Sequence, residues 1–339
     1  MKGTSFGISI EPSWPQAECL KLAIRAEKFG LSNVWVPDGG ASSPFSDTIV
    51  TLAAIASNTN KIKFGSAILN FYTRNPAQIA SSFLALSDLG FRSSKSQRTI
   101  LGIGLGSHYN VSKFGIFSRK GMVQNLREAI ESIQQLFNGE EVSIRTDPFS
   151  IERVRLSKCR GKIPIYVGSS SPKGLRLAGE ISDGIILTER IASEIQEKLK
   201  HVELGLSYSS RKRKDLELVN SIVISVANDK KKANDAAKIT CGYLAAWLDE
   251  ALSTKYGVDE ERRREIASHI NIGDEKGAAK LVDQRMLDLL TISGTPEECV
   301  EKCKEHLNQG IDQIAFCEPF GPNKDEALSL IAKKVIPRL

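Results

Sequence analysis

No apolar run in the sequence approaches the ~18 residues a membrane span requires, and the opening MKGTSFGISIEP has no charged-then-apolar signal segment. The expectation is a cytoplasmic protein with no membrane partner. Histidine is scarce, at 4 residues, and the 6 cysteines lie far apart at 19, 159, 241, 299, 303 and 317. There is no CxxC and no Cys/His spacing of a zinc site, so no metal is expected. Cys299 and Cys303, four apart on a predicted helix, read as reduced packing residues. HExxH, Walker-type and Ser-His-Asp patterns are also absent, which counts against zinc proteases, nucleotide kinases and serine hydrolases. The net charge of +6 includes two basic clusters, Arg211–Lys214 and Lys230–Lys232, but neither is interleaved with aromatics. They read as a solvated loop and a helix start, and no nucleic-acid partner is expected.

What is present is a repeating alternation organised around Lys61–Pro76, KIKFGSAILNFYTRNP. Ile62 to Leu69 has the length and apolar content of a strand buried on both faces. The run breaks at Asn70 into polar and aromatic residues, and Pro76 opens the next helix. Before it stand a strand at Phe6–Ile10, a helix at Pro15–Phe29, a strand at Asn33–Val36 and a helix at Asp47–Ser57. After it come a helix at Pro76–Leu89, a loop GFRSSKSQ, a strand at Arg98–Gly104 and a helix at Lys120–Phe137.

Residues 138–162 are charged and read as an irregular excursion. The pattern resumes with Ile163–Val167, a Ser-rich turn and a helix, then Gly184–Leu187, a helix at Ala192–Leu206, and strands at Asn220–Ala227 and Ile311–Phe316. More than one crossover's length of helical pattern separates the last two. Eight strands in one alternating chain predict an α/β fold, a TIM (β/α)8 barrel. It has a mainly helical insertion, approximately 230–292, between strands 7 and 8, within a single domain over 1–339. A doubly wound open sheet is the second possibility.

In a parallel barrel the active site is assembled from residues just after each strand. These are Ser9 and Glu11, Asp38, Asn70 and Tyr72, Ser107 to Asn110, Gly168 to Ser171, and Thr188 and Glu189. Gly168-Ser169-Ser170-Ser171 before Pro172 can cradle a phosphate at a helix N-terminus, or Ser171 can simply cap the helix. GIGLGSHYN lacks the third glycine of a dinucleotide fingerprint and a helix directly after it, so a Rossmann site is not read there. Its glycines are expected to relieve crowding where a strand end meets a flat ligand. His108, Glu11 and Asp38 are the candidates for acid or base roles.

Taken together, FGISIEP, VWVPDGG, FGSAILNFYTRNPAQIAS, ILGIGLGSHYNVSKFGI, IPIYVGSSSPKGLRLAGEISDGIIL, ISGTPEECVEKC and GIDQIAFCEPFGPNKDEAL resemble the luciferase-like superfamily. Within it they are most similar to the archaeal methylenetetrahydromethanopterin reductases that use coenzyme F420, a deazaflavin. The resemblance implies an oxidoreductase that moves a hydride between the deazaflavin and methylenetetrahydromethanopterin or a related small acceptor, assembled as a homodimer or homotetramer. It also implies a non-prolyl cis peptide at Ala67–Ile68 supporting the ring from behind. Asp38, Asn70 and Gly168–Ser171 match cofactor-contacting positions, with Thr188 a further contact. The sequence departs from the reductases at three places: Ser9 stands for a glutamate, Ser107 followed by His108 for an acidic residue, and Gly39 for a histidine. Glu11, two residues beyond Ser9 and expected to face the same side, or His108 is then the proton-handling group. The departures keep other readings open: F420 with an alcohol or sugar phosphate, an FMN monooxygenase, or a cofactor-binding paralogue without catalysis.

Overall fold

The computed structural model describes the chain except residues 1–3, 14, 40–45, 95, 108–110 and 118–119, and gives no side-chain surroundings for 92–94. Short, almost wholly buried runs form the parallel strands. These are β1 (Ser5–Ser9), β2 (Asn33–Val36), β3 (Lys63–Ser66), β5 (Thr99–Gly104), β8 (Ile165–Gly168) and β9 (Gly184–Leu187). With both faces covered there is no reason for polar residues to alternate, and the strands read as continuous apolar segments. They pair in the order β1-β2-β3-β5-β8-β9. β9 pairs with β10 (Glu217–Val226), and the order β10-β12-β1, where β12 is Gln313–Phe320, completes the circuit. The fold is therefore the expected α/β type, a (β/α)8 barrel.

The chain divides into two compact units, Met1–Leu187 with Gln196–Asn220, and Thr188–Ile195 with Ser221–Leu339. In the first, the helices are α1 (Gln16–Lys28), α2 (Thr48–Asn58), α3 (Pro76–Ser94), α4 (Met122–Phe137), α5 (Pro172–Ile181) and α6 (Ile195–Tyr208), which begins at the second unit's Ile195. Two expectations need correction here. The segment GFRSSKSQ is not a loop from its start, because α3 continues to Ser94. Gly90 is a packing position: a Cβ there would lie 3.3 Å from Cζ of Phe64. Nor are residues 138–162 irregular. Glu141–Arg145 (β6) and Ser150–Arg155 (β7) form an antiparallel hairpin with a shift in register between Val142 and Ile144. Its inward residues Val142 and Ile151 are buried, an alternation masked in the sequence by the surrounding charges.

The second unit carries the helical insertion as α7 (Lys230–Ala246), α8 (Glu250–Lys255), α9 (Glu260–Asn271), α10 (Glu275–Leu281) and α11 (Gln284–Leu290). Each starts with an aspartate, at 229, 249, 259, 274 and 283, whose carboxylate accepts from backbone N–H groups of the first turn; this satisfies donors a helix leaves open and favours negative charge at its amino end. Ala237, Cys241, Ala245, Ile266, Ala278, Met286 and Leu290 form the core between them. An unanticipated strand, β11 (Ile292–Gly294), pairs in parallel with Ile224–Val226 of β10 and leads into α12 (Pro296–Leu307). Cys241, Cys299 and Cys303 are buried and unpaired. Burial pushes the Cys241 and Cys299 thiols up to about 12, so they act as packing groups.

Candidate active site

At the carboxyl end of the third strand the chain leaves its ladder. Gly65 pairs with Ile100, but Leu69 pairs with Ile103, so β3 and the short β4 (Leu69–Asn70) carry one residue more than β5 across this interval. The extra residue makes a bulge of the kind that re-aims side chains near functional sites. The Ala67–Ile68 peptide within it is cis, where the resemblance places it. On one flank Ala67 N donates to Val36 O at 2.9 Å. On the other, the buried Ser66 hydroxyl donates to Gly102 O at 2.7 Å and accepts from Gly102 N at 3.0 Å. This double clamp was not anticipated, although the small residues Gly65-Ser66-Ala67 within a strand are its signal in the sequence.

The bulge turns Ile68 over the ends of the neighbouring strands. A Cβ on Gly104 would lie 3.0 Å from Ile68 Cδ1 and 2.6 Å from Gly168 O. One on Gly168 would lie 2.7 Å from Ile68 Cγ2. The protein itself already requires glycine within GIGLGS. Gly104 makes room for Ile68 and for the backbone of β8, and Gly102 for the carbonyl of Ser66. The two strands end in register, Gly104 opposite Gly168, so the glycines together floor one half-buried isoleucine.

Other candidates gather around this platform within the first unit. Asn70 pairs with Gly104, and its Oδ1 accepts from Tyr72 N at 3.1 Å and Thr73 N at 3.0 Å, shaping the loop toward α3. A Cβ on Gly106 would lie 3.4 Å from Asn70 Nδ2. In that loop Tyr72 Oη and Arg74 Nε are buried without a hydrogen-bond partner among the described residues. Arg74 Nη2 binds Asp47 at 2.6 Å, and Asn75 donates to Ser150 O of the hairpin at 2.8 Å. Asp38 is half-buried, with Thr48 Oγ1 at 3.3 Å from its Oδ1. After β8, Ser171 caps α5 by accepting from Gly174 N at 3.2 Å, and Ser169 Oγ stands 3.4 Å from Ser171 Oγ.

The remaining candidates stand differently. Ser9 is buried at the end of β1, opposite Trp35. Glu11 lies beyond the strand, is exposed, and its carbonyl accepts from Ser13 N at 2.8 Å. Strand pairing continues as far as Ile10, whose N–H donates to Trp35 O at 2.9 Å, one residue before Glu11. Ser107 is exposed after β5, and its carbonyl accepts from Val111 N at 3.1 Å. His108 lies outside the described residues. Thr188, the exposed residue after β9, falls in the second unit. No group of three potential metal ligands occurs among the described residues, and no helix there is long and apolar enough to cross a membrane.

Residues 5–313 match the family model described as luciferase-like monooxygenase. The 5,10-methylenetetrahydromethanopterin reductase of Methanolobus tindarius is 32% identical over 98% of this chain and 99% of its own. The enzyme of the same name from Archaeoglobus fulgidus is 29% identical, again over 98% and 99%. Among solved structures, the coenzyme F420 dependent tetrahydromethanopterin reductase from Methanopyrus kandleri superposes with a TM-score of 0.91 at 27% identity, covering 99% of both chains.

Proposed function

The chain belongs to the luciferase-like monooxygenase family, and from that premise we propose that it is a coenzyme F420-dependent oxidoreductase acting on methylenetetrahydromethanopterin. The end-to-end likeness to reductases of that name supports the reading. The observation that carries it is the platform: an isoleucine held over two glycines, with a serine-rich helix start one residue away.

A deazaflavin suits these residues. A flat heterocycle with a phosphate-bearing tail needs an apolar support beside donors for an anion. Ile68 supplies the first, backed by Gly104 and Gly168. The Ser169–Ser171 turn supplies hydroxyls and main-chain N–H groups at the start of α5. When bound, the reduced cofactor is the hydride source. The protein's own part is placement: the Ala67–Ile68 bulge supports the ring, and Gly168–Ser171 hold the phosphate. Asp38, steadied by Thr48, orients ring or substrate, while Asn70 completes the lining. Glu11 or His108 handles the proton, with Ser9 and Ser107 beside the substrate where relatives carry acidic groups. A homodimer or homotetramer in the cytoplasm is the proposed setting.

Mixing the protein with reduced F420 and methylenetetrahydromethanopterin should restore the visible absorbance of the oxidised cofactor. Tight cofactor binding without that return rejects the pterin as acceptor. Ser9 and Ser107, standing where the reductases carry acidic residues, favour one second reading, an F420 enzyme for another acceptor, which turnover with an alcohol or sugar phosphate but not the pterin would establish. FMN retained by protein purified from its native host would replace F420 in either reading.

A further inference from the structure

Within the second unit, a cavity of about 370 Å³ is lined by Arg190, Ser193, Asp288, Lys302, His306 and Gln309, among others. That volume suits a small molecule. Its charges are unequally matched. Lys302 Nζ lies 3.0 Å from Asp288 Oδ1 and 3.3 Å from Thr291 O, so it is already neutralised. Glu305 also lines the cavity and is exposed to water. Arg190 has no such match: its guanidinium makes no hydrogen bond or ion pair among the described residues. The adjacent carboxylate, Glu189, instead accepts from the main-chain N–H of Arg190 at 3.0 Å and of Ile191 at 3.2 Å.

An arginine in this position is expensive to leave alone. It stays protonated in proteins, and a desolvated cation gains most from an oxyanion that takes its planar fork in bidentate fashion. Burial pulls the Arg190 guanidinium below its usual range, with Glu189 opposing, and the Cys241 and Cys317 thiols near it are no substitute for a carboxylate. The cavity also offers the Ser193 hydroxyl, 2.7 Å from Tyr256 Oη, and the imidazole of His306. Burial pulls His306 down to about 4, so at neutral pH it adds no charge.

We propose that this cavity is a second ligand site, independent of the reaction above, that takes the carboxylate or phosphate of a small molecule on Arg190. The test is calorimetric titration of the full chain with inorganic phosphate and, separately, with acetate. A saturable site is expected that is weakened about tenfold or more in Arg190→Gln, the usual loss for a charge-assisted hydrogen bond. Arg190→Lys should fall between, keeping the charge but losing the fork, and it serves as the reading if Arg190→Gln does not fold. Preference for phosphate identifies a phosphate ester as the ligand class, and preference for acetate a carboxylic acid. Ser171→Ala separates the two anion sites, since phosphate held at the serine turn weakens there and not in Arg190→Gln. Unchanged affinity in both Arg190 variants, or no saturable binding of either probe, overturns the proposal.

Discussion

The amino and carboxyl ends of β3 and β5 are held together by opposite means. At the amino ends, Arg98 is 1% exposed and donates to Gly90 O, Thr59 Oγ1, Ile62 O, Ala56 O and Thr59 O at 2.9 to 3.2 Å, with the Phe64 ring 5.1 Å away. Beside it, the Glu27 carboxylate accepts from Asn60 N, Lys61 N and Ile62 N. At the carboxyl ends the ladder is interrupted, side chains are replaced by glycine, and Tyr72 Oη lacks a partner among the described residues. One end spends its polar groups on itself; the other leaves room and donors for something else. This is the division expected of a barrel, whose bottom face serves stability and whose top face serves chemistry.

Removing Arg98 is the strongest way to break that contrast. Arg98→Met keeps much of the apolar stem but takes the buried donor away from four carbonyls and the Thr59 hydroxyl. It should lower unfolding free energy by about 3–5 kcal/mol, seen as a fall in the denaturant midpoint. Where the variant folds, F420 affinity should be unchanged. A loss below about 1 kcal/mol, or a loss of binding in folded protein, would show that the two ends are not separable.

The next effect belongs to the upper end. Gly168→Ala places a methyl 2.7 Å from Ile68 Cγ2, a clash made only with the Ile68 side chain among the nearest atoms. Overpacking of this kind costs about 1–3 kcal/mol, and displacing the platform should weaken deazaflavin binding in fluorescence titration. Adding Ile68→Ala should recover stability but not binding, because it removes the clash together with the support. Recovery of both would mean that Ile68 does not bear on the cofactor.

How much of this was legible in the sequence depends on whether the cause is local. The limits of β2 and β9 follow from uninterrupted apolar runs between polar or glycine breaks, and both agree with the structure. The position of the bulge came from resemblance, since nothing in FGSAILN by itself says where the ladder slips. Gly104 and Gly168 could be read only as permissive positions, because the atom that needs them, on Ile68, is remote in sequence from both. The hairpin was missed because charge on both strands hid a short alternation, and α3 was cut short because Gly90 looks like a stop when its packing partner is unknown. The five insertion helices do carry a local signal, the aspartate at each amino end.

Acid should sharpen the contrast from below. Burial alone would raise the Glu27 carboxyl, but the N–H groups of Ile62, Lys61 and Asn60 outweigh it and hold the pKa below the usual value of 4.5. A carboxyl depressed in the folded state stabilises above its unfolded pKa, and that stability is lost as pH falls through the folded value. Glu27→Gln should therefore cost about 1–2 kcal/mol at neutral pH, allowing for its partial exposure. The gap to wild type should close progressively below pH 4.5 in unfolding curves. A gap that stays constant with pH would remove Glu27 from the lower hub.

The smallest predicted stability change tests what the serine turn is for. Ser171 accepts from Gly174 N, so Ser171→Ala should cost about 1 kcal/mol as a lost N-cap. If capping is its whole role, F420 affinity stays with the wild type once protein is folded. If the turn also receives the phosphate, affinity falls by more than the stability change can explain, because cofactor and cap then draw on the same hydroxyl. Ser169→Ala makes the cleaner comparison. Its hydroxyl lies 3.3 Å from Ser171 N and 3.4 Å from Ser171 Oγ and caps no helix, so losing it should touch binding with little change in stability. An unchanged affinity in both variants would return the turn to the self-contained chemistry of the strands' other end.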